Sequence, residues 1–230
     1  MKKAVTNKAV IAIAVVYTVF SVVSFLYNLL SHNMEALLYS IAAPFLLFIP
    51  LLAYRLFRLA PVPELTVAVI AFCFFAYLIG IAFAVYRKNF WYDKVIHGFA
   101  GAFFALVGMA AFYYLKADKK IEWERDRRIL EWFSFAFSLL IGVFWEIFEF
   151  AAWKITGIDT QHVLATGVDD TMLDLIACFG GSLFIAFCIN RSFRQEKFNL
   201  PLKLFESFYI KNMNAGYLAG TGEAGGDVSE

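Results

Sequence analysis

Seven residues between positions 93 and 174 combine types and spacings that can hold a cation or move a proton: Asp93, Lys94, His97, Glu146, Glu149, Asp170 and Asp174. Asp93 and His97 stand four apart, Glu146 and Glu149 three apart, and Asp170 and Asp174 four apart. On a helix, each such pair shares one face. Carboxylate oxygens with one imidazole suit a divalent ion such as Mg²⁺, Mn²⁺ or Zn²⁺. Asp93, His97 and Asp174 are the expected metal ligands. Glu146, Glu149 and Asp170 are the carboxylates expected to do catalytic work, as a further ligand or as general base for a water. No serine, cysteine or second histidine at membrane depth suggests a covalent nucleophile.

Such residues act only where rigid elements hold them, and here the elements are helices in lipid. Of 230 residues, 61% are hydrophobic and 17% charged, with 27 Phe and 11 Tyr. That apolar share exceeds what a soluble domain can hide, whereas a lipid-facing helix carries bulky apolar groups on every side. Six apolar runs of about 20 residues, the length that crosses the hydrocarbon, lie at 9–30, 37–57, 65–86, 94–115, 132–153 and 171–189. They predict an all-α protein, a six-transmembrane-helix bundle passing repeatedly through the plasma (inner) membrane. The first run follows Lys2, Lys3 and Lys8. It is longer than a signal-peptide core and no small-residue cleavage site follows, so it is read as a retained helix. Pro44 and Pro50 predict a kink in the second run. Residues 191–211 read as a basic cytoplasmic segment, and 212–230, rich in Gly and small residues, as a disordered tail.

With six spans, sixteen Lys and Arg fall on the N-terminal side of the membrane and four on the other. This asymmetry places both termini in the cytoplasm. The acidic pairs then gather at the outer face. The fourth run begins there with Asp93 and His97, and the sixth with Asp170 and Asp174. The fifth ends there, with Glu146 and Glu149 about 10 and 6 Å below its outer end at about 1.5 Å per residue.

Each pair taken alone has a structural explanation. Asp93 and Lys94, beside Trp91 and Tyr92, would serve as an interfacial anchor. His97 would be a hydrogen-bonded interior residue, and Asp170 an N-cap of the sixth helix, with Asp169 or Thr171 as competitors. Asp159 and His162 would be solvated loop residues. Glu146 and Glu149 resist such treatment, because a carboxylate at the bilayer centre costs up to about 2.5–3.5 kcal/mol. Lys94 cannot neutralise all of Asp93, Glu146, Glu149, Asp169, Asp170 and Asp174, so protons or a bound metal must supply the rest. Small residues predict close approach of the fourth helix (Gly98, Gly101, Ala102, Ala105) to the sixth (Ala177, Gly180, Gly181, Ser182). Cys73, Cys178 and Cys188 all fall in apolar runs and suggest neither a disulfide nor a zinc site. A net charge of +1 without a basic patch gives no reason to expect nucleic acid.

The series Asp93-Lys94-Val95-Ile96-His97, Glu146-x-x-Glu149 and Asp170-Thr171-x-x-Asp174, with Gly180 six residues on, resembles the YjdF-like family of bacterial inner-membrane proteins. More distantly it resembles the VanZ-like family linked to glycopeptide-antibiotic resistance. The resemblance covers about Tyr92 to Ser182. The VanZ-like pattern has Asn and Gln where this chain has Ala177 and Glu149, which favours the YjdF-like relatives. It implies a site in the last three helices and supplies no reaction.

The leading expectation is a metal-assisted site that binds or hydrolyses an amphipathic substrate, such as a lipid headgroup at the outer leaflet, with membrane lipids as partners. An alternative is a proton- or ion-coupled transporter in which Glu146 takes up and releases a proton, although no internal repeat is evident. A further alternative is a structural or accessory membrane subunit whose acids pair with another protein.

Overall fold

The computed structural model describes residues 7–161, 163–195, 199 and 201–222. Every regular element among them is helical, and six helices are long and apolar enough to cross a membrane: α1 (Asn7–Leu30), α2 (Met34–Leu56), α3 (Pro63–Ala82), α4 (Phe90–Leu115), α5 (Trp123–Thr156) and α6 (Asp169–Arg194). Large apolar side chains such as Leu26, Phe45, Phe99, Phe148 and Phe187 stand exposed along them, as lipid-facing helices require. The chain is a multi-pass membrane protein. A further helix, α7 (Lys203–Gly222), takes in 203–211 of the expected basic segment and runs into the expected tail. Residues 223–230 of that tail, like His162, lie outside the described residues.

The chain divides into two compact units, Met1–Phe90 with Ser207–Glu230, and Trp91–Glu206. In the first, the backbone departs from α-geometry where the sequence removes donors. Pro44 and Pro50 bring no N–H, and α2 passes through a 3₁₀ stretch, Ala43–Phe48, between two α-helical pieces. The buried Tyr17 hydroxyl donates to the Ala43 carbonyl there at 3.0 Å. α3 starts at Pro63, widens to a π-helix over Phe74–Ala82, and ends before Ala84, whose φ is 57°. The expected continuation to residue 86 is therefore broken. The Ala82 carbonyl at the π-helix end accepts from Asn28 Nδ2 at 2.9 Å and Ser24 Oγ at 3.3 Å, and Ser40 joins Ser24 at 2.7 Å. These polar side chains thus satisfy backbone and one another where no water is at hand.

The second unit holds α4, α5 and α6. α5 begins at Trp123 rather than near 132, because hydropathy locates the part that crosses lipid and not the helix end. Its first turns are charged, and Lys116 Nζ holds Asp126 at 2.6 Å while Asp126 also accepts the Glu122 N–H at 3.0 Å. Every fourth residue of two helices forms a seam: the buried Asp170, Asp174, Cys178 and Ser182 on α6, and on α5 the buried Ser134, Ser138 and Glu146 with the half-buried Gly142 between the last two. The backbones of α4 and α6 touch at two glycines. A Cβ on Gly101 would collide with the Cys178 carbonyl, and one on Gly181 with the Gly98 carbonyl and, at 2.8 Å, the Ala102 nitrogen. Gly180, also expected at this contact, faces open space. The interior is closed by hydroxyls: Ser138 donates to the Gly101 carbonyl at 2.7 Å, and Ser182 donates to Ser138 at 2.8 Å.

Candidate functional site

One end of the second unit is formed by the start of α4, the end of α5, the start of α6 and the loop between the last two. The i,i+4 registers of α4 and α6 turn Asp93, Lys94, His97, Asp170 and Asp174 toward one another. Lys94, 7% exposed, is the hub. Its ammonium donates to Asp93 Oδ2 at 3.0 Å, to Asp174 Oδ2 at 2.7 Å and to Asp170 Oδ1. Three N–H groups thereby meet three carboxylates.

That arrangement leaves one oxygen of Asp93 and one of Asp174 beside the imidazole. His97 Nε2 lies 3.6 Å from Asp93 Oδ1 and 3.8 Å from Asp174 Oδ1, and the three ligand atoms lie within 4.8 Å of one another. These separations are too long for hydrogen bonds. Donors about 2.0–2.2 Å from a shared ion would themselves stand roughly 3–3.5 Å apart, so closing on an ion needs only a small movement. Asp174 is 1% exposed, and its Oδ1 has no hydrogen-bond partner among the described residues. An ionised oxygen so placed is costly unless a cation or proton meets it.

The two glutamates belong to the same end but not to the Lys94 cluster. Glu146 is buried. The Gln161 amide donates to its carbonyl at 3.0 Å and to its Oε2 at 3.2 Å, while Oε1 has no hydrogen-bond partner among the described residues. Glu149 accepts from Trp145 Nε1 at 3.0 Å, and its carbonyl accepts from Thr160. Both glutamates lie within electrostatic range of Asp93. Beside Glu146 is an open cleft of about 420 Å³, lined by Ile147, Phe150, Trp153, Gln161, Val168 and Thr171 among others.

Two loop expectations change. The N-cap position of α6 is Val168, which offers no side-chain cap, and Asp170 is drawn to Lys94 instead of capping, because an ammonium outcompetes a backbone N–H for a buried carboxylate. Asp159 is not merely solvated: its carboxylate accepts the N–H groups of Val163 and Leu164 at 3.0 and 2.8 Å, holding the single turn Val163–Thr166. α5 ends on Gly157 at φ 74°, a left-handed cap that turns the chain back toward the site. Sequence reasoning missed the Gln161 bracket on Glu146, and no local signal marked it. It read Lys94 as an interfacial anchor and a lone counter-charge, not as the centre on which three aspartates converge, although a lysine one turn before a histidine in an apolar helix was itself a signal.

A family model described as "Predicted membrane protein (DUF2238)" matches residues 9–195. An uncharacterised protein of Thermotoga maritima is 33% identical over 116 residues, which is 50% of this chain and 56% of the relative. The chain thus spans little more than half of that relative's length. No solved structure matches.

Proposed function

The chain belongs to this family of predicted membrane proteins, and we propose that it is a divalent-cation-dependent site for the headgroup of a membrane lipid. The observation that carries the proposal is the open triangle of Asp93 Oδ1, His97 Nε2 and Asp174 Oδ1, with Asp174 Oδ1 buried and unpartnered among the described residues. Five carboxylates gather at this end, Asp93, Glu146, Glu149, Asp170 and Asp174, and the Lys94 ammonium pairs with three of them, the aspartates, so a dication lowers a large charge excess. An ion held by three protein ligands keeps positions for a phosphate oxygen or a water, and a metal-bound water is a nucleophile at neutral pH. A site near one end of the spans suits a headgroup whose tails stay in lipid, and the Lys and Arg asymmetry supports the outer leaflet. The YjdF-like resemblance accords with the family and carries no reaction.

The test is metal analysis of detergent-purified protein, wild type beside His97→Ala and Asp174→Asn. We expect about one Mn²⁺, Zn²⁺ or Mg²⁺ per chain, lost in both variants. No stoichiometric ion in the wild type, and no stabilisation on adding divalents, would overturn the reading.

An ion-coupled carrier is the second reading. It is favoured by the seam that continues from the acids inward through Ser138 and Ser182 to Ser134, whose buried Oγ has no partner among the described residues. Proton flux into liposomes that Glu146→Gln abolishes would establish it over the first.

A further inference from the structure

Lys94 and the triangle of Asp93, His97 and Asp174 draw on the same two carboxylates. The ammonium stands 3.0 Å from Asp93 Oδ2 and 2.7 Å from Asp174 Oδ2. His97 Nε2 lies beside the opposite oxygens, 3.6 Å from Asp93 Oδ1 and 3.8 Å from Asp174 Oδ1. Each carboxylate is thus divided, with one oxygen toward a cation that the chain itself supplies and the other toward the imidazole. Asp170 gives the ammonium a third anchor and takes no part in the triangle. Lys94 and Asp174 are both buried, so water is a poor substitute for either partner.

One ammonium on both ligand carboxylates is more than a counter-charge requires. A lysine anywhere within the cluster would lower its negative charge, whereas this one occupies the second oxygen of each. An ion that took both oxygens of Asp93 or Asp174 would have to move toward Oδ2, and so toward the ammonium. Like charges repel strongly where little water screens them. Each carboxylate can therefore offer an ion one oxygen. That restriction separates ions by their chemistry. Ca²⁺ gathers about six to eight oxygen ligands and often takes a carboxylate through both oxygens. Zn²⁺ is held by about four donors, imidazole among them. Mg²⁺ keeps several waters and needs only a carboxylate or two, and Mn²⁺ accepts the same oxygen donors.

We infer that Lys94 is the positioning residue that makes Asp93 and Asp174 one-oxygen ligands, so that the site accepts Mg²⁺, Mn²⁺ or Zn²⁺ and refuses Ca²⁺. The inference rests on the metal reading of the proposed function and adds to it the residue that selects the ion. Lys94 itself carries donors only and ligates nothing.

The experiment titrates Mn²⁺ into the metal-free full chain in detergent at low temperature, reading the free ion by electron paramagnetic resonance, with Ca²⁺ as competitor. The quantity compared is the ratio of Ca²⁺ to Mn²⁺ affinity, because the charge lost in a Lys94 variant strengthens both dications alike and cancels. Wild type should prefer Mn²⁺ by at least about tenfold, and Lys94→Met should move the ratio toward Ca²⁺ by about 10–100-fold, the scale on which groups that orient metal ligands act. Lys94→Gln, one bond shorter and unable to span both carboxylates, should move it the same way and serves if the Met variant does not fold. Asp170→Asn disturbs the same buried cluster but leaves the ammonium on both ligand carboxylates, so it should keep the wild-type ratio. Equal affinity of the wild type for Ca²⁺ and Mn²⁺ overturns the inference without any variant. So does a ratio unchanged in the folded Lys94 variants, or one that Asp170→Asn moves as far as they do. Wild type that binds no Mn²⁺ takes down the metal reading and this inference together. Stoichiometric Mn²⁺ with a ratio indifferent to Lys94 leaves the metal reading standing and this inference alone refuted.

Discussion

Replacing Lys94 with Met removes the charge and keeps most of the volume, so the energetic consequence falls on three aspartates. Lys94 lies 2.7 Å from Asp174 and 3.0 Å from Asp93, and Asp170 is its third partner. At an effective dielectric of about 20, the pairs with Asp174 and Asp93 are each worth about 6 kcal/mol of Coulomb attraction. Desolvation of the ions offsets much of this, at several kcal/mol apiece. The two carboxylates it leaves most buried, Asp170 and Asp174, have side chains 4% and 2% exposed. Breaking a buried cluster by deleting its cation therefore costs about 3–5 kcal/mol. For a chain of this size that lowers the unfolding midpoint by roughly 10 °C, at about 2–4 °C per kcal/mol. The assay is thermal unfolding in detergent with EDTA, repeated with Mn²⁺. Because the variant site is more negative, divalent ion should recover more stability than in the wild type, about 2.7 kcal/mol at a hundredfold excess over Kd. If Lys94→Met unfolds in EDTA within about 2 °C of the wild type, the account of Lys94 as the counter-charge of this cluster is wrong.

Other consequences follow from the same geometry. Gly181→Ala places a methyl against backbone that cannot give way and should cost about 1–3 kcal/mol or more, whereas Gly180→Ala, facing open space, should be neutral or stabilising by up to about 1 kcal/mol; paired melting curves decide this. Ser182→Ala removes the hydroxyl that joins Ser138 and the Cys178 carbonyl, and should cost about 1 kcal/mol in the same assay. At the other end of the second unit, the Asp126 carboxylate raises the Lys116 ammonium above the ordinary lysine value. Its stabilising contribution is complete below the unfolded lysine pKa and is lost as pH rises through the higher folded value. The stability difference between wild type and Lys116→Met should therefore persist at neutral pH and close only in strong alkali.

The sequence by itself determined what is local and periodic. Apolar length located six spans, with ends that fall short where a helix runs on past the apolar run (α5 from Trp123, α6 to Arg194, α4 from Phe90) and overrun where the helix breaks (Ala84). Helical periodicity of about 3.6 residues per turn determined which acids share a face of their own helix, Asp93 with His97 and Asp170 with Asp174. Small residues announced the contact of α4 with α6 but not its rotation: Gly101 and Gly181 are in it, and Gly180 is not. Only the tertiary structure decided how charge is shared among neighbours. Lys94 gathers Asp93, Asp170 and Asp174, taking Asp170 from the helix cap, and Gln161 returns from the loop to bracket Glu146. The physical reason is that helical periodicity orients a side chain relative to its own axis. Which partner it meets depends on the rotation of the neighbouring helix and the path of a loop, and these are set by packing across the whole unit.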